Sequence, residues 1–199
     1  MLVCNAFTVA QTASAQATSA QTTLVIFADR PISGQLWLAL TAELHAELAS
    51  GDPEMRTLDP EAQFLRGESL VPGIEFHATV TVFLHGPCTT IIQTGIHPAS
   101  IPGALGWVNS RKGSIEPFMH VNCTLIARML ASQSAWSPQP NQKMATALAR
   151  VILHEWIHIA TQNPAHAHHG VAQAQFSIYD LVALPASSPN PAVRSHGGR

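Results

Sequence analysis

Charge is scarce in this chain: Asp, Glu, Lys and Arg make up 11% of its 199 residues, well under the usual globular share. The ten basic and twelve acidic residues leave a net charge of −2 and form no long run of one sign, so the electrostatic footprint of a nucleic-acid-binding protein is missing. No apolar stretch approaches the roughly 18 residues needed to cross a bilayer, so no integral membrane segment is expected. The three cysteines, Cys4, Cys88 and Cys123, fit no zinc-finger spacing. No internal repeat is apparent, no Lys or Arg precedes Arg30, Tyr179 is the single tyrosine, and Asp180 is the only acidic residue after Glu155. Apolar residues, in contrast, reach 46%, which is ample for a packed core and excludes wholesale disorder. The length suits one domain.

The two ends differ from the middle. Met1 to Ala10 is mildly apolar, and Thr12 to Gln21 consists of Ala, Ser, Thr and Gln with a small-residue cleavage pattern at Ala13-Ser14-Ala15. Residues 1–21 therefore read as a signal peptide lacking a basic start, or as a disordered leader, and they point to a secreted or periplasmic protein. Loss of Cys4 with such a leader would leave Cys88 and Cys123 to pair as a disulfide. Residues 185–199 are rich in Pro, Ser and Gly and read as a flexible tail, which leaves 22–184 as the folded domain.

Within that domain, Thr22 to Phe27 reads as a buried strand, and Ser33 is placed to cap a helix over Gly34 to Ser50. That helix carries Leu36, Leu40, Leu44 and Leu48 on one face and stops at Gly51. Residues 52–72, with three prolines and no period, read as a loop. Ile74 to Leu84 alternates apolar and polar side chains as a strand. Gly106 to Val108 and Pro117 to Val121 read as short strands about a turn at Arg111-Lys112-Gly113, and Cys123 to Ser132 as a helix. Asn141 is placed to cap a long, largely buried helix over Gln142 to Gln162, which Asn163-Pro164 ends. The order of these elements predicts an α+β domain, a small mixed sheet packed on helices.

The chemistry lies on the long helix, at His154-Glu155-Trp156-Ile157-His158. Residues i and i+4 share one helix face, so both imidazoles can reach one metal ion, while Glu155 projects about 100° round toward a metal-activated water. A catalytic zinc site takes three protein ligands and keeps one position open. The third ligand must come from elsewhere, and with one acidic residue downstream a histidine is favoured. His166, His168 and His169 follow directly. Asn163 tolerates a left-handed conformation and Pro164 cannot continue the helix, so the chain can fold back under the His154/His158 face. His166 is the first choice, followed by His169, Asp180 and His168.

These residues resemble the zincin superfamily of metallopeptidases: HExxH on a buried helix, preceded by an alternating strand and by the extended Pro117-Phe118-Met119-His120-Val121. The run from Ala147 through HEWIHIATQNPAHAHHG to Ala174 is similar to bacterial proteins with a histidine eight residues after the second motif histidine and a downstream glycine. The metzincin branch does not fit, because Thr161 and Pro164 stand where it has its turn glycine and third histidine, and Ala172 stands where its methionine would be sought. The resemblance implies a single zincin-like domain and peptidase activity.

The expected activity is thus that of a zinc-dependent metallopeptidase acting on peptide or protein substrates, with Zn2+ held by His154, His158 and His166 and Glu155 as general base. An edge strand would hold the extended substrate, with Ile74 to Leu84 preferred over Pro117 to Val121. Tyr179, His120 or a spare histidine would donate a hydrogen bond to the oxyanion. The alternative is a non-catalytic, histidine-rich metal-binding protein whose imidazoles fill every coordination position.

Overall fold

The computed structural model describes residues 21–73, 75–89, 103–133, 139–166, 171–173 and 175–182. The leader up to residue 20, the tail, Ile74, His168 and His169 lie outside the described residues. Five strands, β1 (Thr22–Ala28), β2 (Gln63–Arg66), β3 (Ala78–His85), β4 (Gly106–Arg111) and β5 (Ser114–Asn122), form one sheet in the order β2-β1-β3-β5-β4. The first four in this order run parallel and β4 runs antiparallel to β5, so the sheet is mixed. With helices α1 (Gly34–Leu48), α2 (Cys123–Gln133), α3 (Pro140–Thr161) and α4 (Ile178–Val182) it makes the expected α+β domain. Among the described residues no helix is long and apolar enough to cross a membrane.

Two expectations about strands are corrected. Residues 52–72 are not a bare loop: Asp52 caps a 3-10 turn over Pro53–Thr57, and Gln63–Arg66 forms β2 on the margin of the sheet. A four-residue, half-exposed strand carries no alternation long enough to read. The strand predicted over Ile74 to Leu84 begins at Ala78 and is not an edge, because β1 and β5 flank it. Its alternation reports one face on the core rather than a free side. Nor is β5 an edge; β4 is.

The core face of the sheet presents Leu24, Ile26, Val80, Val82, Leu84, Met119 and Val121, all buried in the same cluster as the apolar side chains of α1 and α3. In α1, Ser33 accepts the amide hydrogen of Leu36 at 3.1 Å, the predicted cap. In α3 the expected cap at Asn141 is corrected: Pro140 takes the first turn, where its missing N–H is no loss, and Asn141 instead donates to Gln35 on α1. Every residue from Met144 to Ile159 is buried, so α3 runs through the middle of the domain rather than along its surface. Arg150 is carried with it and is neutralised by Glu47 of α1, with Nε and Nη2 each 3.2 Å from Oε1, while Nη1 donates to the Asp180 carbonyl. Cys88, after β3, and Cys123, opening α2, form a disulfide, as the sequence allows.

Candidate metal centre

His154 and His158 stand one turn apart on the buried helix, and each is fixed by its Nδ1. That of His154 lies 2.7 Å from the Val171 carbonyl, and that of His158 lies 2.7 Å from the Asn163 carbonyl. A carbonyl only accepts, so both Nδ1 atoms carry the hydrogen and the neutral rings present lone pairs at Nε2. Those two Nε2 atoms face each other at 3.1 Å. Opposed lone pairs at that distance repel, and a shared cation removes the conflict. His166 completes the group: its ring centroid is 5.2 Å from that of His154 and 4.8 Å from that of His158, and one nitrogen from each of the three rings falls within 4.8 Å of the others. Three imidazoles whose second nitrogens are anchored on backbone carbonyls in at least two cases are a donor set suited to a metal ion. Burial lowers the His154 pKa to about 4, partly offset by the Val171 carbonyl, and the neighbouring His158 and His166 add to the depression.

The turn that delivers His166 departs from expectation by one residue. The left-handed position is Gln162, with φ 54°, rather than Asn163. A β-carbon is unfavourable there, but the Gln162 carboxamide is fully engaged. Its Oε1 accepts from the Ile115 amide at 2.9 Å and from the Ser114 hydroxyl at 3.0 Å, and its Nε2 donates to the carbonyls of Ile115 at 3.1 Å and Ile159 at 2.8 Å. The end of α3 is thereby docked on β5, which sets the Asn163 carbonyl under His158. A second support holds His154: Glu54 accepts the Ala172 amide hydrogen at 2.9 Å, next to the Val171 carbonyl that orients the ring.

Glu155 is 5% exposed, with Oε1 3.9 Å from the His154 Nε2. Burial raises its pKa to about 7. The start of β4 crosses directly over it: a β-carbon added at Gly106 would stand 2.8 Å from Glu155 Oε1 and 2.7 Å from Val151 Cγ1, so only glycine fits. A cavity of about 640 Å³ opens here, with His154, Glu155, His158 and His166 on one side and Gly106 and Val108 of β4 on the other.

Other candidates fall elsewhere. Asp180 lies on α4 with its carboxylate accepting the Ser177 amide hydrogen at 2.8 Å, and those Ser177 hydrogen bonds hold its pKa down; it is not in the ligand group. Tyr179 is 69% exposed and does not line the cavity. His120 is on the outer face of β5, hydrogen-bonded to His85 at 2.9 Å, and does not line it either. Of the expected oxyanion donors, Tyr179 and His120 therefore do not reach the site, and the spare histidines His168 and His169 lie outside the described residues. Gly106, Gln162 and Glu54 were not singled out by the sequence, although a glycine opening a strand is a signal of close backbone approach. Comparison with protein-family models, with curated proteins and with solved structures gives no match to this chain.

Proposed function

We propose that this protein is a zinc-dependent peptide hydrolase in which His154, His158 and His166 hold the ion and Glu155 is the general base. The observation that carries the reading is the pair of facing Nε2 atoms, 3.1 Å apart, beside a buried carboxylate and an open cavity. The resemblance of the same residues to zincin metallopeptidases points the same way. When bound, the ion supplies Lewis acidity, which makes water a nucleophile near neutral pH and polarises a carbonyl. Glu155 takes the proton of the attacking water and returns it to the leaving amine as the C–N bond breaks.

The substrate lies along β4. Leu105 accepts the Asn122 amide hydrogen at 2.8 Å, and in an antiparallel pair residues alternate between facing the partner and facing away. Gly106 and Val108 accordingly turn their N–H and C=O groups from β5 toward the unpaired side, where an extended peptide would pair with them. Gly106 then sets the reacting peptide over Glu155. The Cys88–Cys123 disulfide accords with a secreted or periplasmic site of action.

The test joins metal analysis to hydrolysis of an unfolded protein. Wild type should carry one zinc per chain and cleave; Glu155→Gln should keep the zinc and lose cleavage. Retained cleavage in that variant, or zinc in a closed shell of four protein ligands, would overturn the assignment.

A further inference from the structure

The outer face of the sheet carries a transverse row of rings in register. Phe27 of β1 pairs with Phe83 of β3, Phe83 with His120 of β5, and His120 with Trp107 of β4. Successive centroids are 5.8, 5.3 and 4.9 Å apart, with interplanar angles of 22°, 20° and 15°. His85 thickens the row, stacking on Trp107 at 5.5 Å and on His120 at 5.2 Å, and its Nδ1 is 3.3 Å from Asp29. Beyond Phe27, itself 38% exposed, the next place in the row is taken by Gly67, where an added β-carbon would approach Cδ1 of the ring to 2.2 Å. At the other end Trp107, also 38% exposed, stands on a strand whose far side has no strand partner among the described residues.

We infer that Trp107 is a specificity-determining residue, and that the substrate is a peptide with an aromatic side chain positioned to extend this row by one ring. The inference rests on the hydrolase reading and on the use of β4 as the docking edge. Trp107 and His120 exchange hydrogen bonds across β4 and β5, so toward the other side Trp107 occupies the non-hydrogen-bonded position, where opposed side chains approach most closely. The substrate residue beside it points to the outer face, away from the zinc ligands. It lies one step along the strand from the residue opposite Gly106, and so within a residue or two of the cleaved bond. An aromatic partner there continues the parallel stack, whereas an aliphatic one gains only contact area.

The experiment is cleavage of a peptide library prepared from a denatured proteome, with cleavage sites read by mass spectrometry for wild type, Trp107→Phe and Trp107→Ala. Wild type should show Phe, Tyr and Trp enriched about three-fold at one fixed position. Trp107→Phe should keep the enrichment, and Trp107→Ala should lose it while still cleaving peptides with small residues there. Cleavage without aromatic enrichment, enrichment of Lys or Arg instead, or enrichment unchanged in Trp107→Ala overturns the inference and leaves the hydrolase reading standing. Absence of cleavage by wild type overturns the hydrolase reading, and this inference falls with it.

Discussion

The Nε2 atoms of His154 and His158 confront each other at 3.1 Å while both Nδ1 atoms are committed to backbone carbonyls. An ion held between them would bind the folded chain in preference to the unfolded one and would therefore stabilise the fold. At a free zinc concentration a thousand-fold above Kd the gain is about 4 kcal/mol. Thermal unfolding should shift down on chelation and recover on adding Zn2+, and His158→Ala should abolish the response. A melting temperature indifferent to the metal would count against the site.

Glu155 makes metal-free stability depend on pH in a defined direction. Its folded pKa, about 7, lies above the ordinary 4.5, so the folded state holds a proton that the unfolded state has released. That contribution is complete below 4.5 and is lost as pH rises through 7. His154, depressed from 6.5 to about 4, works oppositely: its contribution is present above 6.5 and is lost as pH falls through 4. Glu155→Gln removes only the first. With chelator present, the variant should gain stability relative to wild type between pH 5 and pH 8, by at most about 3 kcal/mol. Urea titrations at both pH values measure this, and a pH-independent difference would contradict it.

Gly106→Ala tests the crossing of β4 over the site. The added methyl meets Glu155 Oε1 at 2.8 Å and Val151 Cγ1 at 2.7 Å, so either the carboxylate turns into the cavity or β4 shifts off the helix. Overpacking of this kind costs about 1–3 kcal/mol. Hydrolysis should fall further than stability alone explains, because the edge strand is displaced from the carboxylate. Zinc content should be unaltered.

Gln162→Gly separates backbone from side chain. Glycine suits φ 54° better than glutamine, so a role confined to the turn predicts equal or greater stability. Loss of the carboxamide, however, frees the Asn163 carbonyl that orients His158. The expected result is about a ten-fold weaker zinc affinity and an altered Co2+ absorption spectrum. Unchanged affinity and spectrum would reduce Gln162 to a turn former.

The ion pair between Glu47 and Arg150 is a purely structural prediction. Both side chains are buried, so Glu47→Gln leaves an uncompensated guanidinium between α1 and α3. The cost should be about 3–5 kcal/mol in denaturant unfolding.

Local pattern made much of this protein legible. The Leu36, Leu40, Leu44 and Leu48 stripe, the Ser33 cap, the turn at Lys112-Gly113 and the HExxH helix all depend on neighbours a few residues away, and helix periodicity alone aligns His154 with His158. The return of His166 is only partly local, since the helix ends at the left-handed Gln162, which Ser114 and Ile115 hold in place. What lay hidden depends on partners distant in sequence. The alternation of β3 shows that one face is buried but cannot tell whether both edges are paired, and β2 is too short to show any period. Gly106 is necessary because Glu155, 49 positions later, packs beneath it; Gln162 tolerates its conformation because Ile115 lies within reach; and four aromatic residues far apart in the chain meet only through strand register. The chain thus writes two of the three candidate metal-binding histidines and the carboxylate beside them into one helix, whereas the open edge, the fitted glycine and the ring row arise from long-range pairing, which no local spacing encodes.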